Sequence, residues 1–258
     1  MSDIIYREGD LRIVNNDILT TRSIRNESVD LIVTSPPYNL DINYGLYKDQ
    51  LPYPEYLELF KKWMTKLYNL TKPDGRMCLN VPLDKSKGGY QSVGADVTNI
   101  AKQVGWKYKT SIVWNEGNIS KNSAWGSWLS ASAPHIIAPV ELIIVFYKHQ
   151  WKKESGSKIS TITKEEFVEW TRGIWTFKGE SKRKIGHPAP YPVELPCRCI
   201  KLLSYENDIV MDPFMGSGST LLAALKTKRR CVGVDIDENY CNLAIRRINS
   251  VLTGKTIL

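Results

Sequence analysis

Ile209-Val210-Met211-Asp212-Pro213-Phe214-Met215-Gly216-Ser217-Gly218-Ser219-Thr220 is the stretch that decides the fold. Three successive apolar residues read as a buried strand, the Asp-Pro step and two glycines as a tight turn, and Ser219 to Lys226 as the helix that follows. Strand, glycine turn and helix in that order form the unit of an open α/β sheet, whose ligands bind beyond the carboxyl ends of the strands. Glycines at 216 and 218 let backbone amides approach an anion at the helix start, either a phosphate or a carboxylate. Asp212 sets a negative charge beside them, which repels a pyrophosphate and suits the ammonium group of a methionyl moiety. A second strand, Cys231 to Val234, leads into Asp235 about 20 residues after the loop, where an acid can accept hydrogen bonds from ribose hydroxyls. Asp237 is its neighbouring competitor.

Outward from this unit the same alternation recurs. Asp30 to Thr34 is a short, apolar, β-branched run suited to a strand covered on both faces, stopped by Pro36 and Pro37. Tyr56, Leu57, Phe60, Met64, Leu67 and Tyr68 recur at spacings of three and four and predict a helix over 54–70, ended by Pro73, Asp74 and Gly75. Further strands are expected at 76–81, 110–114 and 141–147, and helices at 93–104, 194–204 and 239–248. The whole reads as one α/β domain, a mostly parallel twisted sheet with helices on both faces.

The segment Lys148 to Lys184 breaks the rhythm. It holds ten Lys or Arg against five Glu, together with Trp151, Trp170 and Trp175, and reads as an insertion on the core. Over half of the chain's net charge of +8 lies there, so this is where a polyanion would be met. The run Lys226 to Arg230, between a helix and a strand, reads instead as a solvated face. In the SAWGSWLSASAPHIIAP stretch, Trp125 and Trp128 either pack as ordinary loop residues or flank a substrate, and His135 reads as structural.

Composition narrows the function further. No stretch approaches the roughly 20 apolar residues of a membrane span. The first ten residues lack the order of a secretory signal, so a cytoplasmic protein is expected. Five cysteines without a Cys-x-x-Cys pair argue against a disulfide framework and a structural zinc, and three histidines give no metal cluster; no metal is expected.

Thr34-Ser35-Pro36-Pro37-Tyr38-Asn39 stands at the other strand end that carries chemistry. Two prolines restrict φ and supply no amide hydrogen, so the turn can hold acceptors in place without a substrate. The Ser35 hydroxyl and the Pro36 carbonyl can accept hydrogens from an exocyclic amine, favouring its pyramidal, nucleophilic form, and Tyr38 offers a stacking face. With the DPFMGSGST loop later in the chain, which is close to the family's DPFxGSGT and has Ser219 where that motif has threonine, this turn resembles the amino-methylating DNA methyltransferases and their (Asp, Asn or Ser)-Pro-Pro-(Tyr or Phe) motif. The catalytic turn preceding the cofactor turn resembles the permuted β group of that family, and the likeness covers nearly the whole chain.

That resemblance implies a Rossmann-like S-adenosylmethionine-dependent methyltransferase fold, with S-adenosyl-L-methionine as cofactor and double-stranded DNA as partner. It implies a catalytic set of Ser35, Pro36, Pro37 and Tyr38. The implied cofactor set is Asp17, Thr34, His187, Pro188, Asp212, Pro213, Phe214, Gly216, Ser217, Gly218, Ser219, Thr220 and Asp235, with Asp17 near the adenine and the segment His187, Pro188, Ala189, Pro190, Tyr191 and Pro192 completing the pocket. Serine at position 35 implies cytosine N4 as the target, since aspartate there accompanies adenine. A base in a duplex must be flipped out to reach a buried methyl donor, with Tyr38 as its stacking platform. The 148–184 segment then becomes a target-recognition insertion, with Lys152, Lys153, Lys158, Arg172, Lys182, Arg183 and Lys184 as phosphate contacts. A separately acting restriction endonuclease is the partner such an activity suggests; oligomeric state has no signal in the sequence. Adenine N6 methylation shares all of this except the base. A dinucleotide-binding oxidoreductase would share the glycine turn and acid but would not need TSPPYN, and a silent DNA-binding module would need only the basic segment.

Overall fold

The computed structural model describes residues 3–85, 90–117, 127–134, 136 and 140–254; Trp125 and His135 lie outside them. The chain begins with an antiparallel hairpin, β1 (Ile4–Glu8) and β2 (Leu11–Asn15), turned at Gly9 with φ +53°. Next come β3 (Val29–Thr34), the short pair β4 (Asn43–Tyr44) and β5 (Tyr47–Lys48), α1 (Tyr53–Leu70), β6 (Thr71–Pro82), α2 (Val93–Val104), β7 (Lys107–Asn115) and β8 (Val140–Tyr147). The remainder comprises α3 (Lys164–Trp170), β9 (Ile174–Thr176), α4 (Lys182–Ile185), α5 (Glu194–Leu203), β10 (Ile209–Asp212), α6 (Ser219–Lys226), β11 (Arg230–Asp235) and α7 (Glu238–Thr253).

Among the described residues one nine-stranded sheet runs in the order β1-β2-β11-β10-β3-β6-β8-β7-β9. Its centre, β2-β11-β10-β3-β6, is parallel, and β8 lies antiparallel between β6 and β7. Side chains alternate between faces along each strand. Ile32, Met77, Leu79, Met211, Val232 and Val234 therefore share one apolar layer with Phe60, Met64 and Leu67 of α1 and Val97 of α2. Leu31, Val33, Cys78, Val210 and Cys231 face the other way and join Leu195 of α5, Leu221 of α6 and Ala244 of α7. β3 is buried at all six positions because both layers cover it.

From β10 the chain goes through α6 to β11 on one side, and from β3 through α1 to β6 on the other. The order therefore reverses between β10 and β3, and a crevice opens there beyond the carboxyl ends of both strands.

Some elements depart from expectation. The β1–β2 hairpin was not expected from the sequence, although Gly9-Asp10 between two strand-like runs is a turn signal. Helix α1 ends at Leu70, and Pro73, Asp74 and Gly75 lie within β6, where the register with β3 shifts. Arg229 is not on a solvated face: it is 3% exposed and donates to the Ser204 carbonyl at 2.7 Å.

The basic segment is also not a simple appendage. β9 extends the main sheet beside β7, and Trp170 and Trp175 belong to the core. Its first part returns to the amino ends of the parallel strands, the edge opposite the crevice. There the Lys153 ammonium, with a side chain 1% exposed, meets Asp30 at 3.3 Å, Asp74 at 3.6 Å and Asp208 at 3.8 Å. Asp30 and Asp208 sit at the starts of β3 and β10, so Lys153 neutralises a buried acidic cluster and cannot reach a phosphate. Lys158 pairs with Asp208 at 3.0 Å on the same edge, and exposed Lys152 flanks Lys153.

Candidate active site

Two turns meet across the crevice. β3 and β10 are neighbours in register, Val210 beside Leu31 and Met211 beside Ile32. At their ends the Thr34 hydroxyl donates to Asp212 Oδ1 at 2.7 Å, which ties the serine-proline turn to the glycine turn. Asp212 Oδ2 accepts from Tyr191 and from Thr220, each at 2.7 Å, and Oδ1 also accepts from the Phe214 amide at 3.1 Å. Burial raises the Asp212 acid above its ordinary range, opposed by the hydroxyl donors. The residue is wholly buried and does not line the cavity, so it organises both turns from behind rather than presenting a charge to a ligand. Thr34, Pro188, Gly218 and Thr220 are likewise not among the lining residues.

The glycines serve spacing more than anion capture. The Gly216 amide donates to Asp235 Oδ2 at 2.9 Å and the Gly218 amide to the Met215 carbonyl at 2.7 Å, so neither is free for a phosphate. A Cβ on Gly216, at φ +45°, would lie 2.6 Å from His187 Nε2. His187 stands against Tyr240, ring centroids 4.6 Å apart, and burial pulls its imidazole down to about 4, leaving it neutral at pH 7. Asp235 accepts from the Asp237 amide at 2.9 Å as well; burial pushes its acid up to about 6.

The cavity over these turns is about 410 Å³. Its walls include Asp17, Ser35, Pro37 and Tyr38, with Pro213, Phe214, Gly216, Ser217, Ser219 and Asp235 of the glycine side and His187 between. Pro36 is buried behind its neighbours. Tyr44, Trp63 and Tyr240 add aromatic surface, and Phe214 packs edge-on to Trp63 at 4.9 Å. The charges lining the space are Asp17, Glu116, Glu141, Glu180 and Asp235 against Lys182. A pyrophosphate would be repelled here, whereas a sulfonium and an ammonium would be stabilised by carboxylates and ring faces. The aromatic walls and the Asp235 carboxylate suit an adenine and a ribose.

The serine-proline turn is held from outside. The Pro37 carbonyl accepts from the Tyr56 hydroxyl at 3.1 Å. Asn39, at φ +58°, has its amide bound by Asp49 at 2.7 Å and its side chain by Leu51. The Ser35 hydroxyl meets the Tyr38 hydroxyl, which reaches the Asn80 carbonyl at 3.1 Å and Glu141 Oε2 at 3.5 Å. Tyr38 therefore gives the site a polar hydroxyl in addition to a ring. Glu141, Asn80 and Asp49 were not among the expected site residues; the legible signals were a Glu opening an apolar strand in VELIIVF and an Asn inside MCLNV.

Of the basic residues, Lys182 lines the cavity; Arg183 is exposed beside it in α4, which also contains Lys184, and Arg172 is exposed before β9. Trp128 is 67% exposed, on the surface rather than in a packed loop. No helix among the described residues is long and apolar enough to cross a membrane.

A reversed sheet order, an acidic and aromatic cavity, and a serine-proline turn tied to a glycine turn define a methyltransferase that uses S-adenosyl-L-methionine. The chain belongs to the DNA methylase family that joins the N6 and N4 amino-methyltransferases, whose model matches residues 29–246. It is 57% identical over 175 residues, 68% of this chain and 89% of the relative, to the type II methyltransferase M.MjaVI of Methanocaldococcus jannaschii. Its fold matches a candidate DNA modification methylase of Thermus thermophilus solved with S-adenosyl-L-methionine, at TM-score 0.71 and 27% identity over 92% of this chain and 91% of that one. It also matches the PvuII DNA methyltransferase (cytosine-N4-specific), at TM-score 0.75 and 21% identity over 99% of each chain. The enzyme is thus a DNA amino-methyltransferase with S-adenosyl-L-methionine as cofactor.

Proposed function

We propose that the enzyme methylates the N4 amino group of cytosine in duplex DNA after the base is flipped into the cavity. The observation that carries this reading is the neutral Ser35 hydroxyl at the cavity wall, linked through Thr34 and Asp212 to the glycine turn. The bound cofactor supplies an electrophilic methyl on a sulfonium. Asp235 and the aromatic walls hold its nucleoside part, and Asp17 borders the same space. The Ser35 hydroxyl accepts a hydrogen of the amine as positive charge develops on nitrogen, and Tyr38 limits how far the base can tilt.

DNA enters from the crevice side. Arg172, Lys182 and Arg183 are the phosphate contacts in this reading, which narrows the recognition segment from 148–184 to its later part; the Lys184 side chain lies outside those described. The type II name of the M.MjaVI relative supports a protective role beside a separately acting restriction endonuclease. Nucleoside analysis of DNA incubated with enzyme and cofactor is the test, with N4-methylcytosine the expected product. N6-methyladenine alone would overturn the base assignment, and a carbon-methylated base would overturn amine transfer.

A further inference from the structure

Serine in the catalytic turn raises a question of proton balance. When the amine's lone pair forms the N–CH3 bond and the electron pair of the methyl–sulfur bond stays on sulfur, the nitrogen becomes cationic and must lose a proton. A serine hydroxyl can relay a proton but cannot keep one, because the result would be an oxonium. An acceptor must therefore lie behind Ser35.

The structure provides a hydrogen-bonded line to one. Ser35 Oγ meets Tyr38 OH, and Tyr38 OH reaches Glu141 Oε2 at 3.5 Å. Asn80 Nδ2 bridges the same pair, donating to Tyr38 OH at 2.9 Å and to Glu141 Oε2. Glu141 comes from β8, the antiparallel strand between β6 and β7, where it pairs with Pro82 and Trp114 at the crevice end of the sheet. It lines the cavity, and none of the ion pairs among the described residues includes it. The groups that face it are Tyr38 from the β3 turn, Asn80 from β6 and Glu116 after β7, with Tyr44, Glu180 and Lys182 around the same cavity.

We propose that Glu141 is the terminal acceptor of the proton lost by the target amine, reached through the Ser35 and Tyr38 hydroxyls. One N–H bond breaks and its electron pair stays on nitrogen. The proton passes to Ser35 Oγ, the Ser35 proton to Tyr38 O, and the Tyr38 proton to Glu141, whose carboxylate becomes a neutral acid. Solvent takes the proton back once product leaves. Burial, opposed by the Asn80 hydrogen bond and supported by Glu116, lifts the Glu141 acid to about 7, so it both accepts and releases a proton near neutrality.

This inference rests on amine methylation but not on which base is methylated. The test is single-turnover transfer of labelled methyl to DNA by the full-length enzyme from pH 5.5 to 9, with products identified by nucleoside analysis. The wild-type rate should rise about tenfold per pH unit below pH 7 and then level. Glu141→Gln should lower the plateau at least about tenfold and flatten that limb, with cofactor affinity within about twofold of wild type; Glu141→Asp should restore part of the rate and the limb. Should Glu141→Gln fail to fold, Tyr38→Phe, which removes the hydroxyl link and keeps the ring, carries the same expectation. Amine transfer by wild type, with a variant that retains both rate and limb, overturns the relay alone. Absence of amine transfer by wild type overturns the relay and the proposed function together.

Discussion

Thr34 and Asp212 lie 178 positions apart, yet one hydrogen bond between them ties the serine-proline turn to the glycine turn. Ser35 projects from that joint, so Ser35→Ala should lower the single-turnover rate about 100-fold while cofactor binding stays near wild type, checked by titration calorimetry beside rapid-quench kinetics. Asp235 responds to pH in a definite direction. Its acid sits at about 6, so the carboxylate that would accept from the ribose is ionised above pH 6 and is lost on acidification below it. Cofactor affinity should therefore be flat from pH 7 to 8 and fall steadily below 6; a flat profile down to pH 5 would remove Asp235 from the ribose contact. Gly216→Ala adds a Cβ 2.6 Å from the His187 ring at a left-handed backbone position, and should weaken cofactor binding more than it lowers folding stability. Ser35, Gly216 and Asp235 were legible in sequence because their types and spacing follow from chemistry at a strand end. Glu141 was not, because it comes from a distant part of the chain and enters the site only by strand pairing.

At the scale of elements, the segment around β9 divides by the edge of the sheet it reaches. Lys153 meets Asp30, Asp74 and Asp208 at the amino ends of β3, β6 and β10, so Lys153→Ala leaves Asp30 and Asp208 with only the more exposed Lys72 and Lys158 as counter-charges and should destabilise the fold in chemical denaturation by less than the about 3–5 kcal/mol of a fully unpaired buried charge. The same substitution should leave the salt dependence of DNA binding unchanged. Lys182→Ala and Arg183→Ala, in α4 beside the cavity, should each reduce the slope of log affinity against log salt by about one with little loss of stability. Basic composition alone could not separate these lysines, because a run of charges is the same whether it faces a phosphate or a carboxylate. The acids that distinguish them precede strands far away in sequence, and only β8, running antiparallel to its neighbours, brings Lys153 to that edge.

For the molecule as a whole, the switch point between β3 and β10 is where the proposed function places the cofactor, across both halves of the sheet. S-adenosyl-L-methionine at about 100 times its Kd should stabilise the folded state by about 2.7 kcal/mol, seen as a rise in Tm, whereas a nicotinamide dinucleotide should give none. A rise with the dinucleotide instead would contradict the acidic lining of the cavity. Local pattern was enough to determine the α/β class, the strand-turn-helix units and both motifs, because apolar periodicity, proline and glycine act on their own neighbours. The sheet order, the burial of Lys153 and Arg229, and the line from Ser35 to Glu141 were decided by the tertiary structure alone. Those depend on which strands pair across long separations, and pairing energy is shared among many residues that no single stretch of chain contains.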